Sequence, residues 1–207
     1  MSEITVTEAL KELKTLDARI TKQTSDATFA TFVIGGKLPV GQGTEDQFRT
    51  KATGSLKSIT DLIARRNAIK TAIVASNATT NVTIGGVTYT VAGAIEHKAS
   101  IGYKQKLVKY MGIQLLKTLR EIESQNVQVQ RNLDSHITTI LGKDAKDKGG
   151  DEVETFTKNY LAKNEAKIVD PINAKEQIDA LEAEIEGFLA NVDTQLSISN
   201  ATTQIVV

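Results

Sequence analysis

The sequence predicts a mainly α protein with a small β component: an elongated antiparallel helical bundle or coiled coil carrying a small three-stranded sheet at one end. Three observations predict it. Apolar residues recur at seven-residue steps through Ile101, Val108, Leu115, Ile122 and Val129, with Leu119, Leu133 and Ile140 joining them, inside a stretch from Val91 to about Leu141 that reads as one long helix. At 1.5 Å per residue such a helix is a rod of about 75 Å, whose seam packs other helices. Val82 to Val91 reads as a β-hairpin around Gly85-Gly86. Finally, Ser76-Asn77-Ala78-Thr79-Thr80 recurs letter for letter as Ser199-Asn200-Ala201-Thr202-Thr203, each time after a helix and before a β-rich tail.

Each element follows from its residues. Thr5-Val6-Thr7-Glu8 fits a capping box, and Val6, Leu10, Leu13, Leu16 and Ile20 form an apolar helical stripe ending near Lys22. Thr28 to Ile34, β-branched and aromatic up to Gly35-Gly36, reads as a strand; Pro39, Gly41 and Gly43 mark a loop. Thr44 with Gln47 is a second capping box, opening a helix whose inner face holds Phe48, Leu56, Ile59, Leu62, Ile63, Ile69 and Ile73 and which ends at Asn77 in a left-handed cap. In the hairpin, Ile84 faces Val87 and Val82 faces Tyr89, with Thr83 and Thr88 on the other side. The long helix runs to Gly142. Lys143 to Gly150 is a polar loop, and Asp151 caps a short helix to about Asn164. A box from Asn173 to Glu176 opens the last helix, where Ile178, Leu181, Ile185, Phe188 and Val192 make the seam that mates with the rod. The echo extends to Ile69 with Val192, Ile73 with Leu196, Val82 with Ile205 and Ile84 with Val207. It predicts that Gln204 to Val207 pairs beside the hairpin as the third strand. The chain is then a single elongated helical domain, 1–207: an N-terminal helix and strand arm over 1–43, helix, hairpin and long helix over 44–142, and a short helix, final helix and C-terminal strand over 151–207.

Composition narrows the function classes. The 207 residues carry 25 basic and 25 acidic side chains, so no net field draws in nucleic acid or an anionic membrane. Cysteine and tryptophan are absent and aromatics few, which excludes disulfides, thiolate chemistry and a base-stacking platform. No apolar run is long enough to span a membrane, and Met1-Ser2-Glu3 does not open a signal peptide, so synthesis and use on the cytosolic side, or release by lysis, is expected.

Little in the chain assembles chemistry. His97 and His136 stand far apart on one rod; His136 continues the heptad row as a core or interface residue, and His97, beside Glu96, is a surface one. Gly35-Gly36-Lys37 and Gly41-Gln42-Gly43-Thr44 lack the spacing of phosphate-binding loops and read as turns, while Asp144, Asp147 and Asp151 fail the EF-hand pattern. Lys104, Lys106, Lys109, Lys117 and Arg120 give the rod a basic side, read as a solvated face neutralised by Glu121, Glu123 or a neighbouring subunit. No catalytic residue, cofactor or metal ligand is assigned, and no enzymatic activity is expected.

The run Asp61 to Lys70, then Ser76 to Thr80, Val82 to Glu96 and Ser199 to Val207, resembles a group of uncharacterised virion structural proteins of tailed bacteriophages. In layout it is also similar to the septicolysin-like family, whose long helix opens Thr-x-x-Glu-Ala where this chain has Thr90-Val91-Ala92-Gly93-Ala94, with Gly93 in the place of the glutamate. The first resemblance implies a non-enzymatic component of a bacteriophage virion, in the capsid decoration, collar, neck or tail. It would assemble as a multi-copy helical oligomer with itself and with capsid, portal or tail proteins, and reside in the virion after synthesis in the host cytoplasm. The contact surfaces expected are Phe29, Phe32 and Ile34 on the arm, Ile101, Val108, Leu115, Ile122 and Val129 on the seam, and Ile205 and Val207 at the terminus. Nucleic acid is not expected as a partner. The alternative is a cytosolic helical adaptor or assembly chaperone absent from the mature particle; a membrane-active protein is what the septicolysin-like layout would imply.

Overall fold

The computed structural model describes residues 3–141 and 150–207. Along the chain run β1 (Glu3–Thr5), α1 (Val6–Asp26), α2 (Glu45–Thr79), β2 (Asn81–Ile84), β3 (Val87–Thr90), α3 (Val91–Leu141), α4 (Asp151–Asn164), α5 (Ala174–Thr202) and β4 (Gln204–Val206). The fold is mainly α with small antiparallel β additions, as the sequence predicts. Two compact units divide it, Met1–Ala99 with Gly187–Val207 and Ser100–Glu186.

The first unit is built on two equivalent junctions. In one, α2 passes through Thr80 into β2, the chain turns at Gly85-Gly86, and β3 leads into α3. Both glycines have positive φ, the requirement of a type I′ turn, and a side chain on Gly85 would approach the backbone of Gly187 to 3.4 Å. The register is the expected one, Val82 opposite Tyr89 and Ile84 opposite Val87. In the other junction α5 passes through Thr203 into β4, and β4 pairs antiparallel with β1, Ile205 opposite Ile4 and Gln204 opposite Thr5.

The two junctions share two bonds at the helix start. The carbonyl of Thr80 accepts from the N–H of Val91 at 2.8 Å, and that of Thr203 from the N–H of Val6 at 3.0 Å. Thr90 Oγ1 accepts from the Gly93 N–H at 3.0 Å, and Thr5 Oγ1 from the Glu8 N–H at 3.2 Å. Val6 and Val91, Ala9 and Ala94, Ile69 and Val192, and Val82 and Ile205 are buried pairwise. A second echo, Thr5-Val6-x-x-Ala9 with Thr90-Val91-x-x-Ala94, thus completes the Ser-Asn-Ala-Thr-Thr repeat.

This overturns the three-stranded sheet. Among the described residues the sheets are two, each of two strands, with orders β1-β4 and β2-β3. β2 already has its partner in β3, and Ile4-Thr5, extended ahead of a capped helix, offers β4 the same edge that Tyr89-Thr90 offers β2. The helix α2 also runs past Asn77 to Thr79, with Thr80 extended rather than left-handed, because the chain enters a strand there.

Around the second junction Val6, Ala9, Leu13, Leu16, Ile69, Ile73 and Ile205 form a core, with Ile4, Leu62 and Val207 packed against it. Ion pairs lock α1 to α2. Arg65 Nε and Nη2 donate to the two carboxylate oxygens of Glu12 at 2.9 and 3.2 Å, and Arg66 Nε donates to Asp17 Oδ1 at 2.6 Å. Both predicted capping boxes form, Thr5 with Glu8 and Thr44 with Gln47. Gly43 (φ 73°) is needed beside the second, since a Cβ there would fall 2.3 Å from Gln47 Oε1. On the inner face of α2, Ile59, Ile69 and Ile73 are buried and Phe48 half-buried, but Leu56 and Ile63 are exposed.

The strand arm does not form. Residues 27–33 belong to no helix or strand, and the β contact among the described residues there is a single bridge between Ile34 and Lys37 across the Gly35-Gly36 turn. Phe29, Phe32, Val33 and Ile34 are all exposed, and no neighbouring strand among the described residues reaches them.

In the second unit, α3 from Ser100 on meets α4, the 165–173 linker and the start of α5. Asn126 clamps the linker by donating to the Ala166 carbonyl at 3.0 Å and accepting from its N–H at 2.8 Å. Lys104 pairs with Glu184. The caps differ from those expected. Gly150 precedes α4 without a side-chain cap, so Asp151 lies inside the first turn with Glu152 and Glu154, favoured there by the helix dipole. Asn173 is left-handed (φ 52°) and its side-chain amide donates to Glu176 Oε2 at 3.4 Å, while Asp170 Oδ2 accepts from the Ala174 N–H at 2.8 Å.

Candidate functional site

The helix α3 shows how packing and free surface separate. Along the heptad row Ile101 and Val108 are buried, Leu115, Ile122 and Val129 are half-buried, and His136 is exposed. A seven-residue step falls about 20° short of two turns of an α-helix at 3.6 residues per turn, so the row drifts out of the packed face. Leu133 and Ile137, reached by steps of four from Val129, are buried in its place. Of the core or interface position expected for His136, the core one fails for this reason; its ring lies 5.5 Å from that of Tyr160.

His97 corrects the other way. It is half-buried, stacked on Tyr89 at 5.4 Å and edge-on to Phe188 at 4.5 Å, in an aromatic triad of β3, α3 and α5. The surface expectation followed its neighbour Glu96, but the hairpin folds Tyr89 over the first turns of α3.

Of the seam residues, Ile101 and Val108 therefore pack within the chain, while Leu115, Ile122 and Val129 do so only in part. Ile205 is buried in the core, and Val207 is packed against it. Phe29, Phe32 and Ile34 are exposed, as a contact surface needs. The larger free surface is one the heptad reading passed over. Tyr103, Leu107, Tyr110, Ile113 and Leu116 follow one another at steps of three or four along α3, each at least half exposed, with Tyr103 at 76%. Five such side chains present apolar area on the order of 500 Å², comparable with the largest patch of a typical monomer. Their spacing was readable as a second apolar row.

The basic side borders that strip. Lys104 pairs with Glu184 and Lys117 with Glu121, while Lys106, Lys109 and Arg120 are exposed and make no ion pair among the described residues.

Three titratable side chains are shifted by their hydrogen-bond partners. Hydrogen bonds from the backbone and hydroxyl of Thr5 hold the Glu8 carboxyl below the usual carboxylate range. Bonding to Asp61 raises Lys57, and bonding to Glu12 raises Arg65. All three are helix-stabilising contacts. Among the described residues no cluster of His, Asp or Glu has the geometry of a metal site, and no helix is long and apolar enough to cross a membrane. Asp144 and Asp147 lie outside the described residues, as does the polar loop from Lys143 to Gly149. Comparison with protein-family models, with curated proteins and with solved structures yields no match.

Proposed function

We propose that this protein is a non-enzymatic structural component that assembles in multiple copies, and that its assembly is a bacteriophage virion. The observation that carries the assembly is the apolar strip Tyr103, Leu107, Tyr110, Ile113 and Leu116 on α3, each at least half exposed among the described residues. Apolar side chains in a continuous exposed row are stabilised by burial at about 25 cal/mol per Å², and a contact between subunits removes them from water. The arm adds Phe29, Phe32, Val33, Ile34 and a fully exposed Val40. The virion rests on the sequence resemblance of residues 61–96 and 199–207 to phage structural proteins.

The test has two parts. Light scattering on the purified protein gives an oligomeric mass, which Tyr110→Glu with Leu116→Glu lowers to the monomer without loss of helicity. Mass spectrometry of the purified particle finds the chain there. An oligomer absent from the particle replaces the virion with a cytosolic adaptor or chaperone; a monomer removes both.

A further inference from the structure

We propose that the cleft formed by the C-terminal half of α1, the 27–43 loop and the first turns of α2 binds a small phosphorylated molecule of nucleotide size. This site is separate from the apolar strip and does not depend on assembly. The cleft measures about 910 Å³, within the range of roughly 300 to 1,000 Å³ of small-molecule sites.

Its charge is unbalanced. Arg19, Lys22 and Lys51 line it against one carboxylate, Asp26. None of these three cations makes an ion pair among the described residues. The contrast lies on the same pair of helices: nearer the core, Arg65 and Arg66 are matched by Glu12 and Asp17. Arg19, Lys22 and Lys51 give the concavity a positive potential, which an anion of two or more charges neutralises.

A second feature asks for a ligand at the same place. Gln42, which also lines the cleft, has a buried Oε1 without a hydrogen-bond partner, and no other buried side-chain oxygen or nitrogen among the described residues is left so. Buried acceptors are almost always satisfied, and Gln42, turned toward the cleft, would pair with a ligand's N–H or O–H donor. Gly54 supplies the room. It sits inside α2, where glycine weakens a helix, yet a Cβ there would meet nothing within 4 Å. Packing does not demand it; an open cleft wall does. Binding through side chains is consistent with the absence of phosphate-loop spacing in Gly41-Gln42-Gly43-Thr44.

The experiment is calorimetric titration of the full chain with pyrophosphate, with ATP, and with a single-stranded oligonucleotide. Pyrophosphate is expected to bind, and ATP more tightly because it also offers donors to Gln42. Lys22→Gln with Lys51→Gln is expected to weaken both at least tenfold, and Gly54→Leu to abolish binding with every charge retained. Lys106→Gln with Lys109→Gln, an equal loss of charge on α3, is expected to change neither. Far-UV circular dichroism confirms that each variant folds, and Arg19→Gln stands in for either cleft variant that does not. The proposal is overturned if neither probe binds, if the α3 variant loses as much affinity as the cleft variant, or if the oligonucleotide binds more tightly than ATP through the same lysines.

Discussion

Replacing Ile69 by alanine tests the repeated junction at its most tightly packed point. Ile69 is 0% exposed and belongs to the core that α1, α2 and β4 share; Val192, its counterpart on α5, is also 0% exposed. Ile69→Ala removes three carbons, about 2.4 kcal/mol of transfer energy at ~0.8 kcal/mol each. The cavity left among Val6, Leu13 and Ile205 adds to that, for a total of about 3.5 kcal/mol, inside the range of roughly 2 to 5 found for such truncations. Val192→Ala removes two carbons and is expected to cost about 2.5 kcal/mol. Val74, on the same helix but 57% exposed, is the control, and Val74→Ala should stay within about 0.5 kcal/mol of the parent. Urea unfolding followed by ellipticity reads all three. With a slope of about 2 kcal/mol per M, Ile69→Ala lowers the midpoint by roughly 1.8 M. If Ile69→Ala costs no more than Val74→Ala, or Val192→Ala costs nothing, the two junctions are not equivalent cores and the reasoning fails.

Three further outcomes follow from particular bonds. Because the folded-state pKa of Glu8 is depressed, its contribution is present above the ordinary carboxylate value near ~4.3 and is lost as pH falls through the lower folded value. The midpoint gap between the parent and Glu8→Gln should close on acidification; a gap that stays constant from neutral to acid pH contradicts the capping role. Gly43→Ala should destabilise by about 1 to 2 kcal/mol, from a positive φ and a displaced Gln47, whereas Gly54→Ala should stabilise by about 0.5 to 1 kcal/mol; thermal melts that move both the same way refute the assignment. A permuted chain, opened between Gly85 and Gly86 and joined from Val206 to Glu3 by a four-residue Val-Gly-Gly-Ser link, should keep the parent's far-UV spectrum, because β4 and β1 already lie in hairpin register. Loss of helicity in the permutant sinks the equivalence.

What the sequence made legible was local. Gly85-Gly86 sets a turn whose register needs no tertiary information, and Thr5 with Glu8 and Thr44 with Gln47 are bonds across three residues. Non-local choices were less readable. The segment from Thr28 to Ile34 has strand composition, but a strand needs a partner, and composition does not say whether the chain supplies one. The partner of β4 was readable in principle, since Thr5-Val6-x-x-Ala9 repeats Thr90-Val91-x-x-Ala94; a repeat sought only at helix ends misses one that also marks helix starts. His136 fell outside the packed face because a seven-residue rule was carried over five steps without its drift. The cleft at Arg19, Lys22 and Lys51 joins residues from two helices and a loop, with no spacing in the sequence to announce it.

The central claim is that the bare strip on α3 is a subunit contact. Sedimentation equilibrium of the purified protein tests it most directly. The account predicts a mass that is a multiple of 22.4 kDa, falling to 22.4 kDa when Tyr110 and Leu116 both become glutamate. A parent protein that stays a 22.4 kDa monomer across the accessible concentration range contradicts it.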